Sequence, residues 1–186
     1  MLPDQDLHLV RSFEKGDETD CPYLTVTSAF YKHAACYPDA VAARDMSTSP
    51  LRELTYCELA QQTQILAVQL QALGVGPGQR VPLLVKRGLE MVVGIWAVLS
   101  CGAQYVPLDG GVVPESTIRT VLEQSGGSVV LCLSSTEHRL RGLEQHGPLQ
   151  PVIIEIVEDC DEEVPDTFTD LATPDGGCYV IYTSGR

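Results

Sequence analysis

Between Val81 and Tyr182, short apolar runs alternate with longer stretches of helical periodicity, and that alternation leaves few folds open. Strand candidates fall at Val81–Val85, Gln104–Leu108, Ser128–Leu133, Val152–Val157 and Cys178–Tyr182. They are short, rich in β-branched or aromatic residues, and bounded by turn formers. Helical segments separate the first four: Leu89–Cys101, Pro114–Gln124 and Thr136–Gln145. Several of the strands are apolar on both faces, as in a parallel sheet held between two helix layers. The expectation is therefore an α/β fold, an open and mainly parallel sheet with helices on both faces. Leu89–Cys101 is apolar nearly all round and should be the most buried helix. Pro82 cannot donate to a ladder, so it should lie at a strand's first residues or on an edge.

Punctuation supports these segments. Pro114 suits a first helical turn, Gly126 a C-terminal cap, and Ser134 with Glu137 makes a capping-box spacing. Upstream, Val26, Ala29, Phe30 and His33 share helical spacing from Thr25 until Pro38. Short strands are expected at Val41–Arg44 and Leu51–Tyr56 around a Ser-Thr-Ser-Pro turn. Thr55 with Glu58 forms a second capping box and opens a long helix. Leu59, Leu66, Leu70 and Leu73 line one face of that helix, and Gly74 and Pro77 stop it. Residues 1–24 are polar and acidic and read as a loose arm, with 25–186 as the folded part.

Composition narrows the partners. The chain has 186 residues, with 44% hydrophobic and 20% charged, which is globular and sufficient for a core. Its 25 acidic against 12 basic residues give a net charge of −13, which repels nucleic acid and anionic membranes. Neither is expected as a partner, and no apolar stretch is long enough to span a bilayer. The 7 cysteines are odd in number and scattered without a CxxC pair, and the N-terminus lacks signal-peptide character. They read as reduced, mostly buried thiols in an intracellular, cytoplasmic protein. No metal site is expected, since the histidines show no ligand spacing with the cysteines. Residues 155–170 hold eight acids and no base, and read as a solvated linker rather than a calcium loop.

The closing stretch Tyr179-Val180-Ile181-Tyr182-Thr183-Ser184-Gly185 is a buried strand candidate running into small residues. Hydroxyls and closely approaching backbone N–H groups there can face an anion. This stretch resembles the opening of the phosphate-loop motif of the acyl-adenylate-forming (AMP-dependent synthetase/ligase) superfamily. That family includes acyl-CoA synthetases and the adenylation domains of nonribosomal peptide synthetases. Two upstream stretches agree in the family's order. Leu54-Thr55-Tyr56-Cys57-Glu58-Leu59 resembles the entry to its first long helix. Leu99 through Asp109 resembles its Leu-x-x-Gly-x-x-Tyr-Val-Pro-Leu-Asp core. The resemblance runs from about Thr25 onward and covers the first part of the family's large N-terminal subdomain. Residues 25–186 thus read as an incomplete N-terminal portion of an AMP-binding adenylation domain.

The resemblance implies ATP-dependent activation of a small carboxylic or amino acid to an acyl-AMP. Transfer to the thiol of CoA or of a carrier protein's phosphopantetheine follows. ATP and Mg are the implied cofactors. Thr183, Ser184 and Gly185 match the start of the triphosphate cradle, and no catalytic residue is carried over. Asp109 reads as a turn-capping residue rather than an acid, base or ligand. Two departures stand out. Arg186 occupies the place of the next Ser or Thr, and Gly110-Gly111 follows Asp109 where the family usually has Pro. The implied pocket, adenine and C-terminal Lys segments of the family would all follow Arg186, so this chain alone is expected to be inactive. Reading the gene onward should reveal a Pro-Lys-Gly continuation. The alternative is a non-catalytic shortened relative acting as a binding or interaction module. An unrelated receiver-like or flavodoxin-like domain ranks last, because Lys86-Arg87-Gly88 follows Val85 and no nucleotide fingerprint occurs.

Overall fold

The structure is a computed structural model that describes residues 6, 9–10, 12–13, 16, 20–143, 149–156 and 167–182. The first helix, α1 (Val26–Cys36), is capped by Thr25, whose hydroxyl accepts the Ser28 N–H while the Ser28 hydroxyl accepts the Thr25 N–H. Its buried stripe is Thr27, Phe30 and Ala34, with the Phe30 ring stacked on Trp96 at 4.3 Å. Val26 and His33 face outward instead, His33 lying against the Tyr37 and Tyr56 rings. Strands β1 (Val41–Asp45) and β2 (Arg52–Thr55) form a separate antiparallel pair.

Thr55 then opens α2 (Tyr56–Ala72) through the expected capping box. Its hydroxyl accepts the Glu58 N–H at 3.2 Å, and the Glu58 carboxylate accepts the Thr55 N–H at 2.7 Å. Leu59, Leu66 and Leu70 are buried, whereas Leu73 at the C-cap is exposed.

The main sheet is fully parallel. It comprises β3 (Arg80–Val85), β4 (Gln104–Asp109), β5 (Val129–Cys132) and β6 (Gln150–Ile153), in the order β4-β3-β5-β6. From β3 the chain crosses to one side through α3 (Leu89–Ser100) and returns past β3 to the other through α4 (Glu115–Ser125). Crossovers of one hand in opposite directions place their helices on opposite faces. The core divides accordingly. Val81, Leu83, Val85, Val129 and Leu131 pack with α2 and α3, and the intervening Leu84, Val130 and Cys132 pack with Ile118, Val121 and Leu122 of α4. The period of two in β3 and β5 thus serves two cores at once. Pro82 sits inside the central strand, ahead of Leu83, where the ladder to β5 begins.

Three expectations need correction. Thr136–Gln145 is not a helix: only a 3-10 turn, Glu137–Leu140, forms, and residues 144–145 lie outside the described residues. The reason is local. Ser134 donates to Glu155 at 3.0 Å instead of capping, Thr136 is used in the sheet interior, and the chain leaves the turn extended at Arg141 before Gly142 at φ 78°. The strand expected at Val152–Val157 forms instead at Gln150–Ile153, beginning two residues earlier and ending at Ile153, and Val157 falls outside the described residues. Cysteines are also less buried than expected. Cys101 and Cys132 are interior, whereas Cys21, Cys36, Cys57 and Cys178 are exposed; Cys160 lies outside the described residues. Of the eight acids in 155–170, only Glu155 and Asp170 are described.

Candidate functional site

In an open parallel sheet, ligands usually meet the carboxyl ends of the strands, above all where the strand order reverses. Here that reversal lies between β3 and β5. The position is filled. The Thr136 hydroxyl donates to Leu84 O at 2.7 Å and accepts the Leu133 N–H at 2.9 Å. Gly110, just past β4, donates to Val85 O at 2.9 Å, and a Cβ there would stand 2.8 Å from Thr136 Cγ2. Proline at 110 would lose that N–H and meet that methyl, which accounts for glycine where the resemblance expects proline.

Around this plug, Asp109 Oδ1 accepts the Gly111 N–H at 2.9 Å, the turn-capping role expected for it. Arg139 donates to Gly110 O at 2.7 Å and also to Val113 O, so it ties the loop after β4 to the turn after β5. Lys86 and Arg87, following β3, are exposed at the same edge, and the Lys86 stem passes over Gly111. Periodicity could not have found Arg139 or Thr136, because their partners are main-chain carbonyls far away in sequence.

Beyond β4 the last described segment continues the sheet in outline. Tyr179 makes a parallel bridge to Tyr105, through Tyr105 N to Cys178 O at 3.1 Å and Val180 N to Tyr105 O at 3.0 Å. The buried strand expected at Cys178–Tyr182 is therefore reduced to one bridge, and its residues are mostly exposed: Tyr179 is 55% and Ile181 59% accessible. Val180 alone reaches the core on the α4 side. Burial, with Tyr179 beside it, pushes the Tyr105 phenol above its usual range. The parallel sense of the bridge directs this segment toward the carboxyl edge that carries Asp109, Gly111 and Lys86. Thr183, Ser184 and Gly185 lie outside the described residues. Among the described residues, no three His, Cys, Asp or Glu gather as a metal site, and no helix is long and apolar enough to cross a membrane.

A family described as "AMP-binding enzyme" matches residues 30–185. An adenylate-forming reductase of Coprinopsis cinerea, number 03009, is 35% identical over 185 residues, covering 97% of this chain and 17% of the relative. Tyrocidine synthase 3 of Brevibacillus parabrevis is 31% identical over 186 residues, covering 100% of this chain and 3% of that one. Among solved structures, a nonribosomal peptide synthetase, FmoA3, bound to α-methyl-L-serine-AMP aligns with a TM-score of 0.69 and 28% identity. That alignment covers 89% of this chain and 18% of that one. The chain spans less than a fifth of the length of these two curated relatives. Family match, sequence identity and backbone agree with the three motifs and the parallel sheet: this chain belongs to the AMP-binding, adenylate-forming enzyme family.

Proposed function

We propose that this chain supplies the first part of an acid-activating ligase unit, in which ATP and a small carboxylic or amino acid give an acyl-AMP. The acyl group then passes to a phosphopantetheine or CoA thiol. One observation carries the reading: Tyr179 lies parallel beside Tyr105, so Thr-Ser-Gly follows a segment directed to the carboxyl edge of a parallel sheet. Thr183 and Ser184 would hold phosphate oxygens through their hydroxyls and Gly185 through its N–H, and exposed Lys86 and Arg87 after β3 would add positive charge at the carboxyl edge. These donor types fit a triphosphate. Mg²⁺ rides mainly on the phosphates and needs few protein ligands. When bound, ATP supplies the electrophilic phosphorus and the pyrophosphate leaving group. The chain's own part is to fix the phosphates and stabilise charge as it develops.

The test is acid-dependent exchange of pyrophosphate into ATP. The 186-residue chain alone should give background exchange. The same residues joined to the remaining adenylation segments of the Coprinopsis cinerea relative should exchange with at least one amino or aryl acid. Thr183→Ala in that fusion should lower the rate by about a hundredfold, the cost of one oriented donor. A fusion that folds and exchanges with no acid would favour a non-catalytic binding module.

A further inference from the structure

Residues of the Leu99–Asp109 stretch meet the chain that leads toward Thr183 at successive points. Ser100 O accepts the Leu171 N–H at 2.8 Å. Gly102, at φ 68°, lets the backbone pass, since a Cβ there would stand 2.5 Å from Leu171 O. At Gly177 a Cβ would lie 1.9 Å from Gln104 Nε2 and 2.8 Å from Gln104 Cδ. Tyr105 then takes both bridge hydrogen bonds, to Cys178 and Val180. Gln71 adds a bond from α2, donating to Thr169 O at 2.8 Å.

We propose that Leu99–Asp109 is a rail that registers residues 171–180, the chain that leads toward Thr183, Ser184 and Gly185 in the sequence, with Gly102 and Gly177 as its positioning residues. The proposal rests on the reading of those three residues as the start of a phosphate cradle. Register matters because side chains alternate along an extended chain. A slip of one residue would turn each side chain of residues 178–182 to the opposite face. Residues 171–180 pair with the main sheet at a single bridge, so the approach at 100–105 must do what a longer ladder does elsewhere. Glycine at 102 and 177 lets that approach be close.

Site-resolved amide hydrogen exchange on the full chain tests this without nucleotide. Gly126 is the internal control: it has nearly the same φ, 69°, yet nothing lies within 4 Å of the Cβ position. Gly102→Ala should speed exchange of the Leu171 and Val180 amides about tenfold or more, leaving Val130 and Leu131 within about twofold. Gly126→Ala carries the same backbone strain and should leave the Leu171 and Val180 amides within about twofold of wild type. Should Gly102→Ala fail to fold, a second pair decides. Gly177→Ala meets only a movable side chain and should speed exchange at Tyr105 and Val180. Adding Gln104→Ala should restore the slow exchange of the Gln104→Ala single variant. Equal effects of Gly102→Ala and Gly126→Ala, or no rescue by Gln104→Ala, would overturn the rail. A rail that behaves as expected while Thr183→Ala leaves the pyrophosphate exchange of an active fusion unchanged would instead remove the cradle.

Discussion

Cys101 and Cys132 carry the same group as Cys57 but have different chemistry, because each is enclosed by the sheet and its helices. Burial pushes the Cys101 thiol up to about 12, with Asp170 adding to the rise, and pushes Cys132 up to about 11, with Glu137 adding. Thiolates are the reactive form, so iodoacetamide at pH 8 should label Cys21, Cys36, Cys57 and Cys178 and leave Cys101 and Cys132 unmodified in the folded chain. Mass mapping that finds Cys101 labelled as fast as Cys57 would contradict the packing. The sign of the pH effect follows from the same shifts. Both folded values lie above the unfolded value of 9.0, so their stabilisation is whole below about pH 9. It is lost as pH climbs toward 11–12, by up to about 1.4 kcal/mol per pH unit for each thiol. Thermal melts from pH 8 to 10.5 should fall in Tm, and Cys101→Ala should make the fall shallower. Composition could count the thiols but not place them. Which cysteines are enclosed depends on α3 and β5 each meeting a second layer, and nothing in the local sequence encodes that.

Elements whose ends are closed by their own neighbours in sequence were legible, and those closed from afar were not. The capping box at Thr55 and the left-handed cap at Gly126 each form within four residues, as their sequences imply, and Thr25 adds a box closed by Ser28 in place of the usual Glu or Gln. Thr55→Ala should accordingly cost about 1 kcal/mol in urea unfolding, with Thr55→Ser retaining most of the stability. No loss in the alanine variant would mean that α2 is held by packing alone. The same pattern failed at Ser134-Ser135-Thr136-Glu137. There the hydroxyls found distant partners, Leu84 O for Thr136 and the Glu155 carboxylate for Ser134, and the helix did not start. The candidate site divides the same way. β3, β4 and the Asp109 turn could be read from pattern, whereas the strand expected at Cys178–Tyr182 shrinks to one bridge and Arg139, which spans two loops, gave no signal. Gly102 was visible as part of a motif. Its work became visible only when Leu171, 69 positions later, came to lie against it.

At the scale of the whole molecule, the two edges of the main sheet are unlike. Among the described residues β6 ends one side, while β4 on the other is met by a segment that forms a single bridge. Beside that bridge Tyr179, Ile181 and Tyr182 are exposed together, at 55%, 59% and 36%. A strand edge with unpaired backbone and apolar side chains is a template for another copy of the same segment. The net charge of −13 opposes such contact, yet its reach is only about 8 Å at physiological ionic strength. Short-range apolar contact should therefore win as salt rises. The expected behaviour of the 186-residue chain is self-association that grows with protein concentration and with added salt, seen in sedimentation velocity. Ile181→Lys puts a charge on the exposed edge without touching either core, and should shift the chain toward monomer with unchanged unfolding. Lys is the residue that natural edge strands use for this purpose. A wild-type chain that stays monodisperse at every concentration and salt, and unfolds cooperatively, would show that this edge is already protected and would favour an independent module over part of a larger sheet.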